Sequence, residues 1–518
     1  MAPPHILINF NNYQFLGDAN LLKQVDVNFT VQSALTTSVV CLVTVTAALS
    51  PWPTLTGTGY HDGQRIALAS CLLFASIVAC MRLWHGKQVV FSINTYTLWL
   101  AFAFFGLGLI SSLLAFSVRH ALYEWASSGL LVLLAWALAA EVAKNAEQLL
   151  NRILLCCAIG CGLYAFNAMV TYASMLMLGM QPHPTDLVKG FDNHRFFNHV
   201  QTVSLPLLGL LALSVKRYKA TRYGYALSAS ILFSVWWMLL FAVGGRGTFI
   251  GLAVGLAVAL YFLRGRAVPL CRAMLIGAIT GLAGYWLLYV QVPLLFGLEP
   301  FGLLGIVAER TLASPDSGRW PLWHLAMDMV IAQPWLGAGP LHFAHVGRFL
   351  QSAAHPHNWV LQIASEWGVP AFLCLVGLVF LGLRRLVLTK HKIKPVDQNC
   401  FNTLAVWLTT GIAILVDGLV SGLMVMPTSQ LWIALYAGCA LGWTVQFNDL
   451  KIGNSQKLSA LKRYGLILGI AVLVGLTGNG LWPEILELRL HEKTNEKYQT
   501  SSTDGHLSPR IWRHGFFE

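Results

Sequence analysis

Apolar residues fall into thirteen runs along the chain, near 34–52, 64–83, 96–117, 122–143, 153–178, 201–216, 224–244, 247–263, 270–291, 368–386, 403–425, 429–446 and 464–482. A helix needs roughly 20 mainly apolar residues to cross a bilayer, and these runs are close to that length. Strands of a membrane barrel alternate in polarity over about ten residues, and none of the runs does. The pattern predicts an all-α, polytopic membrane protein with about thirteen transmembrane helices. Glycines inside the runs suit close helix packing in lipid.

Polar residues divide the chain into an N-terminal segment 1–33, a membrane region 34–290, a long loop 291–357, a second membrane region 358–488 and a polar tail 489–518. The loop is expected to be partly helical. Trp320, Trp323, Met327 and Val330 recur at helical spacing in Arg319–Ile331, which predicts an amphipathic helix along the bilayer surface. The tail ends in SPRIWRHGFFE, and this aromatic end is expected to dock on the outer membrane face. Residues 1–33 are polar and the first apolar run is followed by others, which does not fit a cleavable signal peptide.

Composition agrees with the pattern. The chain is 56% hydrophobic and 11% charged, with a mean hydropathy of +0.61, which excludes a soluble globular enzyme. Charge then sets orientation. With the N-terminus inside, 21 of the 34 Lys and Arg fall in inside loops and 13 outside, and five of those 13 are in the tail beyond Leu488. The positive-inside rule favours this arrangement, so the loop 291–357 and the tail face outward. The net charge of +12 then reports topology and contact with anionic membrane lipid rather than nucleic acid. The ten cysteines lie in spans or at inside helix ends and form no CxxC pair, so neither a disulfide framework nor a cysteine metal site is expected.

Ionisable groups at membrane depth are costly, and they usually line a cavity or a reaction path. Four groups converge on the outer face. Gly244-Gly245-Arg246-Gly247 joins two spans by a tight turn that holds Arg246 at the boundary, where it is either a snorkelling anchor or an anion ligand. Arg319 stands at the start of the amphipathic helix, where a guanidinium and a helix N-terminus both favour phosphate oxygens. His355-Pro356-His357-Asn358 opens the tenth span, with Glu366 two turns further on. His357 titrates in the range of a general base for a hydroxyl, Asn358 suits a cap or a ligand, and His355 is expected to face the loop. Asp192, His194, Arg195, Asn198 and His199 precede the sixth span. Arg195 suits a diphosphate and Asn198 or His199 a sugar, and a simple loop clasp is the alternative. Asp417, inside a span, reads as a site residue or as a partner to a neighbouring helix.

No HExxH, P-loop, GxSxG or GxGxxG element occurs. The outer aspartates lack metal-binding spacing. Two arginines with no acidic cluster beside them suit a diphosphate held without metal or cofactor.

At GGRG, SGRWPLW and HPHNWVLQIASEWGVPA the chain resembles the O-antigen ligase superfamily, over about residues 190–445. NHRFFNHVQTVSLPLL and the terminal SPRIWRHG look similar to its pilin and protein O-oligosaccharyltransferase branch. The resemblance implies a bacterial inner-membrane enzyme with its site facing the periplasm. It would transfer a glycan en bloc from undecaprenyl diphosphate to an acceptor hydroxyl, without metal or nucleotide. The acceptor would be Ser or Thr of a pilin or other protein, with lipid A core or a second lipid-linked glycan (an O-antigen polymerase) as alternatives. His357, Arg319 and Arg246 would be catalytic; Arg195, Asn198, His199, Asn358, His355 and Glu366 would bind substrate. A non-enzymatic transporter of lipid-linked glycan is the reading from another class.

Overall fold

The computed structural model describes residues 60–84, 94–215, 223–302, 318–350, 352–447, 459–482, 484–488, 509–513 and 515–517. The N-terminal segment 1–33 and the expected span 34–52 lie outside the described residues. Those described form an all-helical, multi-pass membrane protein without strands. Its main helices are α1 (Tyr60–Trp84), α2 (Thr95–Leu114), α3 (Val118–Lys144), α4 (Ala146–Met177), α5 (His194–Val215), α6 (Tyr223–Val243), α7 (Arg246–Leu263), α8 (Val268–Tyr285), α9 (Trp320–Ala332), α10 (Trp359–Trp367), α11 (Val369–Thr389), α12 (Gln398–Asp417), α13 (Pro427–Val445) and α14 (Ala460–Leu481).

Where the sequence suggests thirteen spans, nine helical stretches among the described residues are long and apolar enough to cross a membrane. One of these, Arg246–Leu295, covers two of the expected spans. Arg264, with a φ of 52°, breaks it into α7 and α8. Leu227–Val243 is apolar but shorter.

Helices α5 and α12 sit at the centre, with 78% and 72% of their apolar windows buried, whereas α11 has only 11% buried and turns most of its surface outward. Close packing around the centre depends on small residues. Gly247, Gly251 and Gly255 recur every fourth position along the face that α7 turns to α12. A methyl group on Gly251 would come 2.8 Å from the Ala413 carbonyl oxygen. Gly438 on α13 packs in the same way against Ala135 of α3. Van der Waals contact between backbones does this work in lipid, where burying apolar side chains gains little.

Residues of the expected inside loops gather at one end of the helices. There Arg82 pairs with Glu141 at 3.0 Å, Lys390 reaches the Phe262 carbonyl, and Gln398 donates to the Arg266 carbonyl. The candidate site lies at the other end, where α5, α7 and α11 begin and α12 finishes.

Three expectations need correction, and a fourth gains detail. The run 403–425 is not one helix: α12 stops at Asp417, and residues 418–426 form a turn. Irregular backbone at this depth persists because its carbonyls find partners inside the protein. Gly418 accepts from Trp359 N (3.0 Å), Leu423 from Ser429 Oγ (2.6 Å), Met424 from Gln430 Nε2 (3.0 Å) and Val425 from Arg65 Nη2 (2.9 Å). Next, His355–Asn358 opens not the long span but the nine-residue α10, which Gly368 (φ 86°) separates from α11. Third, α9 buries Leu322, Ala326 and Met329, leaving Trp320 and Met327 exposed and Trp323 half-buried. The helix is where the spacing predicts it, and it packs on the protein through a face other than the aromatic stripe. Last, the aromatic end of the tail is inside the protein rather than on an outer surface, with Arg510, Ile511, Trp512, Phe516 and Phe517 all buried.

Candidate active site

The loop between α9 and α10 carries its histidines on a constrained backbone. His357 has a φ of 52°, in the left-handed region that β-carbon sterics disfavour. Such residues persist when their surroundings over-determine them, and they cluster at functional sites. Here the surroundings act on both sides of His357. Trp323 Nε1 of α9 donates to the Pro356 carbonyl at 3.0 Å. His357 N donates to His355 Nδ1 at 3.3 Å. Asn358 Oδ1 caps α10 by accepting from Val360 N (3.0 Å) and Leu361 N (3.2 Å). His355, expected to face the loop, packs instead against the turn 418–426. It is 1% exposed, and a methyl group on Gly422 would come 2.7 Å from its Cε1. Its Nε2 is buried with no hydrogen-bond partner among the described residues.

Three helices bring arginines to this end. The Gly244 backbone (φ 74°) turns the chain from α6 into α7. Gly245 packs so tightly on Asn198 of α5 that a Cβ would come 2.8 Å from the Asn198 Cβ. Arg246 is therefore the first residue of α7, against α5. Arg319 is the N-cap residue of α9, and its carbonyl accepts from Trp323 N at 3.0 Å. Arg195 lies exposed in the first turn of α5, where its N–H donates to Asn193 Oδ1 at 2.9 Å. The first N–H groups of a helix have no intrahelical partner, so all three residues stand at helix starts, near backbone donors and the positive end of a dipole.

Arg319 and Arg195, with His199, lie near His357. Desolvation of its half-buried ring, then Arg319, His199 and Arg195, lowers its pKa to about 3. The imidazole is thus unprotonated at physiological pH, its pKa below the near-neutral range expected from sequence, and a weak base until negative charge is brought beside it. His199 and Asn198 are buried on α5, and His199 Nδ1 and Asn198 Oδ1 have no partner among the described residues. Asn198 Nδ2 donates to Gln201 Oε1 at 2.8 Å. Unsatisfied buried polar atoms are costly, and a polyhydroxylated ligand would supply what these lack.

Beneath them Asp417 ties three helices. Thr202 Oγ1 of α5 donates to Asp417 Oδ2 at 2.6 Å, and Thr248 Oγ1 of α7 lies 2.7 Å from Thr202 Oγ1 and 3.0 Å from the Asn198 carbonyl. Asp417 is thus the partner to neighbouring helices that one sequence reading suggests. Glu366 has both carboxylate oxygens engaged within the protein: Oε1 accepts from Phe343 N (3.0 Å), and Oε2 meets Arg510 Nη2 at 2.7 Å. Burial pushes this carboxyl up, against the opposing pull of Arg510. Asp192 accepts from His61 N at 2.8 Å and belongs to the loop clasp.

Among the described residues no group of three or more His, Cys, Asp or Glu is arranged to hold a metal ion. Sequence reasoning missed Arg510, Arg65 and His61. The four-residue spacing of His61 and Arg65 puts them on one helix face, but charges at the start of an apolar run read as a span boundary.

Residues 229–376 match the O-antigen ligase family. The matched O-antigen ligase region holds Arg246, Arg319, His355, His357, Asn358 and Glu366, and it stops short of Arg195, Asn198 and His199 on α5. It supports a membrane glycan ligase of that superfamily, in keeping with the resemblance at GGRG, SGRWPLW and HPHN. No curated protein matches the chain.

Proposed function

We propose that this protein transfers a glycan en bloc from undecaprenyl diphosphate to an acceptor hydroxyl at the periplasmic face of the bacterial inner membrane. The observation that carries this reading is the geometry of His357, held on a left-handed backbone between the Trp323 anchor on the Pro356 carbonyl and the Asn358 cap of α10. In the reaction the acceptor oxygen bonds to the anomeric carbon and its proton passes to His357. The bond from that carbon to the diphosphate oxygen breaks, and the electron pair leaves with the diphosphate. Preorganised arginines beside helix N-termini stabilise the charge as it develops, in a site where water is scarce. His199 and Asn198 contact the transferred sugar. The leaving group is activated already, so no metal ion or cofactor enters the step. The periplasmic orientation is supported by the 21-to-13 division of basic residues and by the site's position at the helix ends opposite the basic cluster.

The favoured acceptor is Ser or Thr of a pilin or other protein. The residue just before one of the segments similar to the protein-glycosylating branch meets the other segment: Asp192 lies 3.9 Å from Arg513 Nε, and both border α1, through His61 N and through Asp62, which accepts from Arg513 N at 2.6 Å. The alternatives are lipid A core and a second lipid-linked glycan. The test is purified protein in nanodiscs, given undecaprenyl-diphosphate glycan, EDTA and each acceptor in turn. Product on the pilin supports the reading; product only on lipid A core or on glycan assigns another branch; a metal requirement would contradict the leaving-group account.

A further inference from the structure

The C-terminal residues 509–513 thread between the two supports of the histidine loop. On one side, Arg510 Nη2 pairs with Glu366 at 2.7 Å and lies 3.7 Å from Glu124 of α3. The Gln362 amide, oriented with its oxygen toward the guanidinium, accepts from Nη1 (3.2 Å) and Nη2 (3.0 Å). Glu366 and Gln362 both lie on α10, the helix that starts immediately after His357. On the other side, the backbone of the stretch is gripped by Arg65 of α1. Arg65 Nη2 donates to the Arg510 carbonyl (2.5 Å) and Nε to the Ile511 carbonyl (3.1 Å). The same guanidinium donates to Val425 in the turn 418–426. That turn carries Gly422 beneath His355 and the Gly418 carbonyl that accepts from Trp359 N.

We propose that Arg510 is a positioning residue for glycan transfer, holding α10, and with it His355 to Asn358, in register with the turn 418–426. The proposal rests on the ligase reading above. Arg510 touches no reacting atom, so its effect reaches the chemistry through the placement of His357. This residue is 1% exposed and its guanidinium bridges two acidic side chains and an amide. A planar fork makes such bridges and an ammonium does not. The tail thereby becomes part of the site's framework although it lies more than a hundred residues beyond the last element of the matched region.

Removing one partner of a buried pair leaves the other charge unpaired, so Arg510→Ala risks misfolding. The informative variant is the double change Arg510→Met with Glu366→Gln, which removes the 2.7 Å pair together and leaves only the more exposed Glu124, 3.7 Å away, without its cation, alongside Arg510→Lys. Each is checked for membrane insertion and monodispersity. Readouts are single-turnover transfer from undecaprenyl-diphosphate glycan, the KM for that donor, and amide hydrogen exchange at residues 353–358. A displacement of about 1 Å at a reacting group costs on the order of 100-fold in rate. The double variant is therefore expected to lose about that much in kcat, with donor KM little changed and exchange at 353–358 faster. Arg510→Lys should fall between it and wild type. Unchanged kcat with protected amides, or reduced kcat with unchanged protection, would overturn the proposal. If the wild-type protein transfers no glycan to any acceptor, the ligase reading fails, and the exchange measurement alone still decides whether the tail holds the loop.

Discussion

The rings of His355 and His357 stand 4.1 Å apart, edge toward face, with one proline between them in sequence. They differ in surroundings. His355 is enclosed, and its Nδ1 accepts the backbone N–H of His357; His357 is half-buried. One histidine thus shapes the backbone that presents the other. Replacing His355 by Ala should empty a buried ring site and release the His357 backbone, with a stability cost of about 2–4 kcal/mol, as for other large-to-small core changes. Transfer should fall as well. Thermal unfolding and transfer rate measured together check this; a wild-type rate with an unchanged Tm would mean that His355 does not support the loop.

The arginines should tolerate lysine poorly. Arg246→Ala or Arg319→Ala should abolish or severely reduce transfer while the protein stays inserted, and the Lys variants should recover little, because a point charge does not reproduce paired donors. Transfer by each variant, normalised to protein in the membrane, is the measurement. Full activity with Lys would show that only positive charge is needed there.

How much of this was legible in sequence follows from what local patterns record. Apolar runs mark helices because lipid exposure is a property of each run by itself, and α11, mostly unburied, is the clearest case. GGRG marked a tight approach because only glycine fits where Asn198 packs on residue 245. The break at Asp417 was not legible. The turn 418–426 is as apolar as a span, and what ends the helix is a set of distant partners, Arg65, Trp359 and Thr202. The same holds for Glu366. Its position on the helix was visible, but its partner comes from 144 residues away, and pairing over such a distance leaves no trace in spacing.

Acid should act on the free enzyme later than an ordinary histidine would allow. The pKa of His357 is lowered to about 3 by desolvation, Arg319, His199 and Arg195. A lowered value keeps the ring neutral as pH falls below 6.5, so the acidic limb of kcat/KM, which reports the free enzyme, should lie below 6.5. Bound diphosphate adds negative charge and favours the imidazolium, so the acidic limb of kcat should lie higher than that of kcat/KM. Profiles of both parameters check the order. An acidic limb of kcat/KM above 6.5 would argue against His357 as the group that titrates.

The glycine contact between α7 and α12 positions Arg246 from a distance. Gly251→Leu would force a side chain against the Ala413 backbone, and overpacking typically costs about 1–3 kcal/mol. The expected result is a lower Tm in detergent with reduced transfer, while Gly265→Leu, where a Cβ would meet open space, should change neither. Equal effects of the two substitutions would show that the close approach does not set the site.

The central claim is that His357 takes the acceptor's proton, and single-turnover transfer measured beside donor binding in nanodiscs tests it most directly. His357→Ala should slow transfer by about 10²–10⁴-fold, the usual span for general-base catalysis, and leave affinity for undecaprenyl-diphosphate glycan nearly intact. If His357→Ala instead weakens donor binding as much as it slows transfer, His357 is a ligand of the diphosphate or the sugar, and the account of it as the base is contradicted.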